Sequence, residues 1–352
     1  MLTEAGCQSR RQRLQRELAS RRWDLFVTGN YRTAYYFTGK LAGPEQPVLF
    51  LLWQDGTHQL LQPETYSIHR VIDRPFHDLV LLLDFALGAK PAPVTCAIER
   101  SATLGLYEQR FRNVVDATQT VLRLRKQKES DEVNEIRESL HLSATAYRAA
   151  RQTITPGITE VDVYNAMYSA ITTEAGTPVA FPGDFAAGCR CIRAGGPPTS
   201  HTLEPGDLYI LDLFPAPALY FGDVCRAFAV GPPSDLQLQA WEVVCKALAL
   251  GESMVRPGVR GRDVYQRIKE YLDSHAFAEN SFWHHAGHGI GHHGHEAPRL
   301  IPGSDDVFEV GDVFTLEPGV YSQALRGGIR LENNYQVTES GVANLFDFPL
   351  EL

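Results

Sequence analysis

Two stretches of this 352-residue chain nearly repeat one another 105 positions apart, and each carries an acid at the end of an apolar run: EPGDLYILDL, Glu204–Leu213, and EVGDVFTLEP, Glu309–Pro318. Asp212 and Glu317 hold equivalent places in the two copies. A second pair, PGITEVDVYNAM from Pro156 and PGVRGRDVYQRI from Pro257, precedes them in the same order at an offset of 101. A Pro-Gly turn alone recurs by chance, because its turn chemistry is common. Two matched blocks in one order at nearly one offset indicate a duplicated unit. The C-terminal part is therefore expected to fold as two like halves, each delivering one carboxylate to the axis between them, where a metal can be held.

A chain of this length exceeds the roughly 250–300 residues that one core supports, so two domains are expected. Hydrophobic residues at 44% and charged residues at 21% exclude wholesale disorder. A net charge of −9 and the lack of a long Lys/Arg block argue against nucleic acid as a partner. The basic run RRQRLQRELASRR is broken by acids and apolar residues and reads as a solvated helix face. No apolar stretch of about 18 residues is present to span a membrane. The N-terminus lacks the apolar core of a signal peptide, and a cytoplasmic location is the expectation. The six cysteines are scattered, and Cys189 and Cys191 stand too close for the two-residue spacing of a zinc knuckle or redox pair. They are read as reduced thiols.

Helical spacing of Leu14 and Leu18, followed by the strand-like WDLFVTG, opens an α/β domain. PVLFLLW, THQLL, LVLLLDF and VTCAIE continue it as short apolar runs separated by Gly, Pro or Asp, and the domain ends near residue 123. Val133, Ile136, Leu140, Leu142 and Ala146 then recur with helical spacing, so a long helix opens the second domain. Within that domain each half runs helix, Pro-Gly turn, helix, paired strands, with Thr159 or a nearby polar residue capping the second helix.

LYILDLF and DVCRAFAV flank the turn-rich PAPALYFG, which predicts neighbouring antiparallel strands bearing Asp212 and Asp223. A carboxylate inside an apolar strand costs several kcal/mol to bury unpaired, so a base, hydrogen bonds or a metal must neutralise it. An edge-strand Asp facing water is the alternative, above all for Asp223 beside Gly222. In the second half FTLEPGVY places Glu317 as Asp212 is placed, and GIRLENNYQV puts Glu332 in the next strand. Six of the twelve histidines, His284, His285, His288, His292, His293 and His295, crowd into FWHHAGHGIGHHGHEAP. Such a run is either an incidental metal scavenger or a ligand presented at a crowded site, which the interspersed Gly287, Gly289 and Gly291 suit.

Taken in order, Asp212, Asp223, His288, Glu317 and Glu332, within DLF…GDVCR, GHGIG…HE.P, LEPGVY and GIRLEN, closely resemble the five-ligand pattern of the pita-bread metallopeptidases: Xaa-Pro dipeptidases (prolidases), aminopeptidase P and methionine aminopeptidase. The N-terminal part resembles the creatinase-type domain that precedes the catalytic domain in prolidases and aminopeptidase P. The resemblance implies an α/β (α+β) chain: a creatinase-like domain over residues 1–123, then a pseudo-two-fold duplicated pita-bread catalytic domain over 124–352. It implies a hydrolase that cleaves Xaa-Pro bonds in dipeptides or short peptides through a hydroxide bridging two divalent ions. Asp223 and Glu332 would bridge the ions, Asp212 would ligate one, and His288 and Glu317 the other. Glu317 would also take the water's proton. His295 and His284 match substrate-facing histidines, and Arg330 and Tyr321 match an arginine and a tyrosine near the site. Oxygen-rich ligation favours manganese among Mn, Zn, Co and Fe. A homodimer is expected by the resemblance alone.

One position departs from the pattern. Proline-specific members carry a further histidine upstream of the first Asp ligand, and anchoring GCRCIRAGGPPTSHTLEPGD on Pro198-Thr199 and Gly206-Asp207 puts Gly195 in its place. His201 lies beyond the Pro-Thr turn, and Arg193 offers a cation but no neutral base. Loss of an outer donor with every metal ligand kept leaves two alternatives: a changed, non-proline amide substrate, or weakened activity. A non-catalytic binding protein would be expected to have lost ligands, and none is lost.

Overall fold

A computed structural model gives the architecture for residues 1–43, 48–62, 83–88, 93–100, 111–193, 195–278 and 280–352. The chain divides into two compact units, Met1–Arg125 and Lys126–Leu352. No helix among the described residues is long and apolar enough to cross a membrane.

The first unit opens with the helix Glu4–Arg21, whose N-cap Thr3 accepts from Gly6 N–H, and Leu14 and Leu18 lie fully buried on it. Among the described residues five strands follow: β1 (Leu25–Thr28), β2 (Leu49–Trp53), β3 (His58–Leu61), β4 (Cys96–Glu99) and β5 (Val114–Asp116), in the spatial order β3-β2-β1-β4-β5. β1 runs antiparallel to β2 and parallel to β4. It is buried on both faces: Phe26 packs with Leu14 and Leu18 on one side, Leu25 and Val27 with Leu51 and Ile98 on the other. Two-sided burial explains why WDLFVTG is a continuous apolar run. Of the run 79–85, residues 79–82 lie outside the described residues, and 83–88 are helical.

In the second unit the predicted long helix is Ser130–Thr153, with Val133, Ile136, Leu140, Leu142 and Ala146 on its buried face. It pairs with the helix Glu160–Ala175, as Asp235–Met254 pairs with Gly261–Asp273. Thr159 caps its helix, accepting from Asp162 N–H at 3.2 Å. Strands β6 (Gly183–Ala187), β7 (Leu208–Leu213) and β8 (Val224–Ala229) form one antiparallel sheet. The second half supplies β9 (His288–Gly289), β10 (Glu296–Arg299), β11 (Val313–Leu316), β12 (Gly319–Ser322), β13 (Gly327–Arg330), β14 (Asn333–Val337) and β15 (Val342–Asn344). These form a sheet ordered β10-β9-β11-β14-β15 and a ribbon of β12 with β13.

The duplication extends to individual hydrogen bonds. Gly157 N–H donates to Leu203 O and Gly258 N–H to Phe308 O, each at 2.9 Å. Leu203 N–H returns to Ile158 O, and Phe308 N–H to Val259 O. Both Pro-Gly turns hold glycine at positive φ, 95° and 90°, a region that side chains disfavour. The matched acids Asp207 and Asp312 close equivalent turns by accepting from the N–H groups of Glu204 and Glu309.

Candidate metal centre

The two halves present their acids by different means. In the first, Asp212 on β7 stands opposite Cys225 on β8. Asp223 lies two residues before Cys225, so strand alternation turns it to the same face as Asp212. In the second half, β11 and β14 separate after the pair Leu316↔Asn333, and pairing resumes at Gly319↔Arg330 in the β12–β13 ribbon. Pro318, which has no N–H to donate, sits in that gap beside Glu317, and Leu331–Glu332 faces it across the ribbon. The break in the ladder is where both glutamates leave the sheet. Their backbones are tied elsewhere: Glu317 N–H donates to Ala286 O and Glu332 N–H to Cys225 O, each at 3.0 Å. Arg226, fully buried beneath, donates to Glu332 O at 2.8 Å.

Asp212, Asp223, Glu317 and Glu332 are all between 1% and 7% exposed. The guanidinium of Arg330 reaches Asp212 Oδ2 at 2.5 Å and Asp184 Oδ2 at 2.8 Å. Burial pushes Asp212 up to about 6 against the pull of Arg330. Burial and the neighbouring acids raise Asp223 and Glu332 well above the carboxylate range. Glu317 runs the other way. Burial would raise it, but the imidazoles beside it, His285 first through its charge and its hydrogen bond, outweigh that and hold it below its ordinary value. Burial presses His288 down to about 3 and His284 to about 4, so both rings are neutral near pH 7.

These groups fit divalent cations. Asp212 Oδ1 and Glu332 Oε2 are buried without a hydrogen-bond partner, and four such carboxylates cannot all ionise without more positive charge. Ligand atoms of Asp212, Asp223 and Glu332 lie within 4.8 Å of one another, as do those of His288, Glu317 and Glu332, so Glu332 is common to both groups. Gly289 O lies 3.0 Å from His288 Nδ1, which assigns the ring proton there and leaves Nε2 as a lone-pair donor. That nitrogen faces Glu317 Oε1 at 3.4 Å and Asp223 Oδ2 at 3.6 Å. Hard oxygens with an imidazole suit manganese, zinc, cobalt or iron.

Residues 134–339 match the family model for metallopeptidase family M24. The chain belongs to that family. It is 30% identical over 259 residues to the uncharacterized peptidase YqhT of Bacillus subtilis, covering 72% of this chain and 73% of that protein. It is 30% identical over 231 residues to the Xaa-Pro dipeptidase of Pyrococcus furiosus, covering 66% and 65%. Its fold matches the solved prolidase from Pyrococcus furiosus with a TM-score of 0.80 at 22% identity, over 95% of this chain and 99% of that one. The solved X-Pro aminopeptidase from Thermotoga maritima matches at 0.83 and 24% identity, over 97% and 98%. The chain is thus a metal-dependent peptidase of α/β class with the two-domain pita-bread fold.

Around the acids of this M24 peptidase the other singled-out residues form one chain of contacts. Arg330 Nη1 donates to Tyr321 Oη at 3.4 Å, and that hydroxyl lies 2.8 Å from His284 Nε2. His284 Nδ1 lies 2.7 Å from His285 O. Tyr321 is seated against Gly319 and Gly328, where an added Cβ would stand 2.6 Å and 2.3 Å from its ring or hydroxyl. His295, exposed, stacks on His288 with ring centroids 3.9 Å apart.

The sequence reading missed Asp184 and His285 as members of this cluster. Asp184 sits on β6 directly opposite Asp212. Its signal was weak, because GDFAA has neither the length nor the apolar content of β7. His285 was visible only as one of six histidines. The segment around Gly195 is closely packed. Gly195 has φ +125°, and a Cβ there would lie 2.7 Å from Asp184 Cβ, so the missing histidine leaves no gap to refill. The loop is held at both ends by the buried Glu160, which accepts from Ala187 N–H and Arg190 Nε on one oxygen and from Thr199 on the other. Arg193 is exposed at the end of the 3-10 helix Gly188–Arg193, and His201 lines a different cavity with Cys189, Glu204, Asp207 and Arg326.

Proposed function

We propose that this M24 peptidase is a dinuclear hydrolase that cleaves Xaa-Pro bonds in dipeptides or short peptides. The observation that carries the proposal is two linked groups of buried ligand atoms, Asp212–Asp223–Glu332 and His288–Glu317–Glu332, with Asp212 Oδ1 and Glu332 Oε2 left without hydrogen-bond partners. The Xaa-Pro specificity draws support from the named activity of the Pyrococcus furiosus relative.

Asp223 and Glu332 would be shared between two ions, with Asp212 on one and His288 and Glu317 on the other. When bound, such ions supply Lewis acidity, which acidifies water and polarises the amide carbonyl. Glu317, kept ionised by its imidazole neighbours, is the group fitted to accept the proton of the attacking water. Arg330 holds Asp212 in position through a charge-assisted bond and steadies Tyr321. Tyr321 in turn donates to His284 Nε2, which orients that neutral ring, and His295 stands at the exposed lip beside His288. Both histidines then meet the substrate. Manganese as the ion and a homodimer as the assembly belong to the same proposal.

One observation favours a second reading of the substrate. Beside the point where a neutral imidazole is expected, the chain has Asp184, whose side chain excludes any Cβ at Gly195. A carboxylate in place of an imidazole suits a cationic group on the amino-terminal side of a non-proline amide. Chelator-stripped protein given manganese, cobalt or zinc, then a panel of Xaa-Pro and Xaa-Ala dipeptides and longer peptides, separates the two. Faster turnover of Xaa-Pro supports the first reading and faster turnover of Xaa-Ala the second; no turnover of any peptide with any metal sinks both.

A further inference from the structure

Glu317 faces more nitrogen than the five-ligand pattern requires. His285 Nδ1 lies 2.9 Å from Glu317 Oε1, and this buried nitrogen meets no partner besides that carboxylate. Its neighbour His284 has no nitrogen to spare, since Nδ1 is engaged by His285 O and Nε2 by Tyr321 Oη. His285 Nδ1 is the uncommitted donor of the pair.

The separations around Glu317 Oε1 carry the point. Two donors bound to one divalent ion at about 2.1 Å stand roughly 3.0 Å apart at a right angle and roughly 3.4 Å apart at a tetrahedral angle. His285 Nδ1 lies 2.9 Å and His288 Nε2 3.4 Å from that oxygen. Each contact therefore has the length of a coordination edge. Glu317 also belongs to two sets of mutually close ligand atoms, one with His288 and Glu332, the other with His284 and His285.

We propose that His285 Nδ1 is a further protein ligand to the ion on the Glu317 side, in addition to Asp212, Asp223, His288, Glu317 and Glu332. The inference rests on the dinuclear reading above. Its consequence is an unequal pair of positions: Asp212, Asp223 and Glu332 offer oxygen alone, whereas the Glu317 side offers two imidazoles. Imidazole suits zinc and other late divalent ions, and carboxylate suits manganese and magnesium, so the two positions differ in metal preference. The His285 side chain is 30% exposed, so its replacement leaves the core packing in place.

The test compares metal-free wild type with His285→Asn, titrated separately with zinc and manganese against a competing chelator, with bound metal counted per chain. His285→Asn is expected to weaken the tighter zinc site by about tenfold or more while manganese affinity changes by less than about threefold. An equal melting temperature of the two metal-free proteins verifies that folding is unchanged. X-ray absorption of zinc-loaded wild type supplies a readout independent of any variant: three imidazoles per two zinc ions are not required, but two are expected and one overturns the assignment. Equal zinc affinities in the two proteins overturn it as well. If wild type takes up two ions and cleaves peptides while His285→Asn binds zinc as tightly, only the His285 assignment falls; if wild type takes up no ion, the dinuclear reading falls with it.

Discussion

The two halves of the catalytic unit share a backbone and differ in charge. Their Pro-Gly turns and the turns closed by Asp207 and Asp312 repeat bond for bond. The first half nevertheless brings only carboxylates, Asp184, Asp212 and Asp223, and takes its cation, Arg330, from the second. The second half brings Glu317 and Glu332 together with His284, His285, His288 and His295. The outcome is visible in protonation: burial raises Asp212 and Asp223, while neighbouring imidazoles hold Glu317 down. A duplicated scaffold thus fixes where an acid stands. Its neighbours decide whether that acid is ionised.

The largest effect is expected at Glu317. Replacement by Gln removes the charge that the imidazoles stabilise and the proposed proton acceptor, and kcat/KM on the best peptide should fall by about 10²–10⁴-fold. Unchanged kinetics at saturating metal would remove Glu317 from the chemistry. Arg330 tests the other half. Arg330→Gln leaves the buried Asp212, with the partly exposed Asp184 beside it, without its cation, which should cost about 3–5 kcal/mol of stability in the metal-free protein. Urea denaturation with and without metal measures this, and part of the loss should return on adding the ion, because the ion supplies the same countercharge.

Much of this was readable in the chain. The repeat revealed two halves, helical spacing found Ser130–Thr153, and DLF and GDVCR led to β7 and β8 with their acids. Asp184 was not readable, because its meaning depends on the register Asp184↔Asp212, and β6 is too short and polar to announce that pairing. His284 and His285 are adjacent in sequence, and only the folded path shows that one is consumed by Tyr321 and the other faces Glu317. Anchoring by Pro198-Thr199 located Gly195 but could not supply its φ of +125° or the side chain beside it.

That segment sharpens the contrast between the halves. Restoring histidine by Gly195→His should give no gain in Xaa-Pro cleavage and should cost about 1–3 kcal/mol of stability through backbone strain, with the collision against Asp184 added. Gly196→Ala separates the two causes, since Gly196 has φ +137° but nothing within 4 Å of an added Cβ. Its cost should be strain alone and therefore smaller. A rise in Xaa-Pro turnover for Gly195→His would mean that the loop adopts another path in solution.

The matched turn acids, Asp207 and Asp312, differ in their partners. Asp207 meets the half-exposed Arg326, whereas Asp312 is fully buried and meets Lys126 at 3.0 Å. Burial raises Asp312 from 3.8 to about 6, although the Glu309 N–H and Lys126 pull it back. A carboxyl raised by folding gives its full stability below the unfolded value, near pH 4, and loses it as pH climbs through about 6. A shift of this size corresponds to roughly 2–3 kcal/mol. Asp312→Asn keeps an oxygen for Glu309 N–H and removes the titration, so wild type should lose about 2 kcal/mol relative to the variant between pH 4 and pH 7. Denaturation midpoints of the two proteins across that range measure the difference. A constant difference would mean that Lys126 and the Glu309 N–H fully offset the burial of Asp312, so that folding does not raise it.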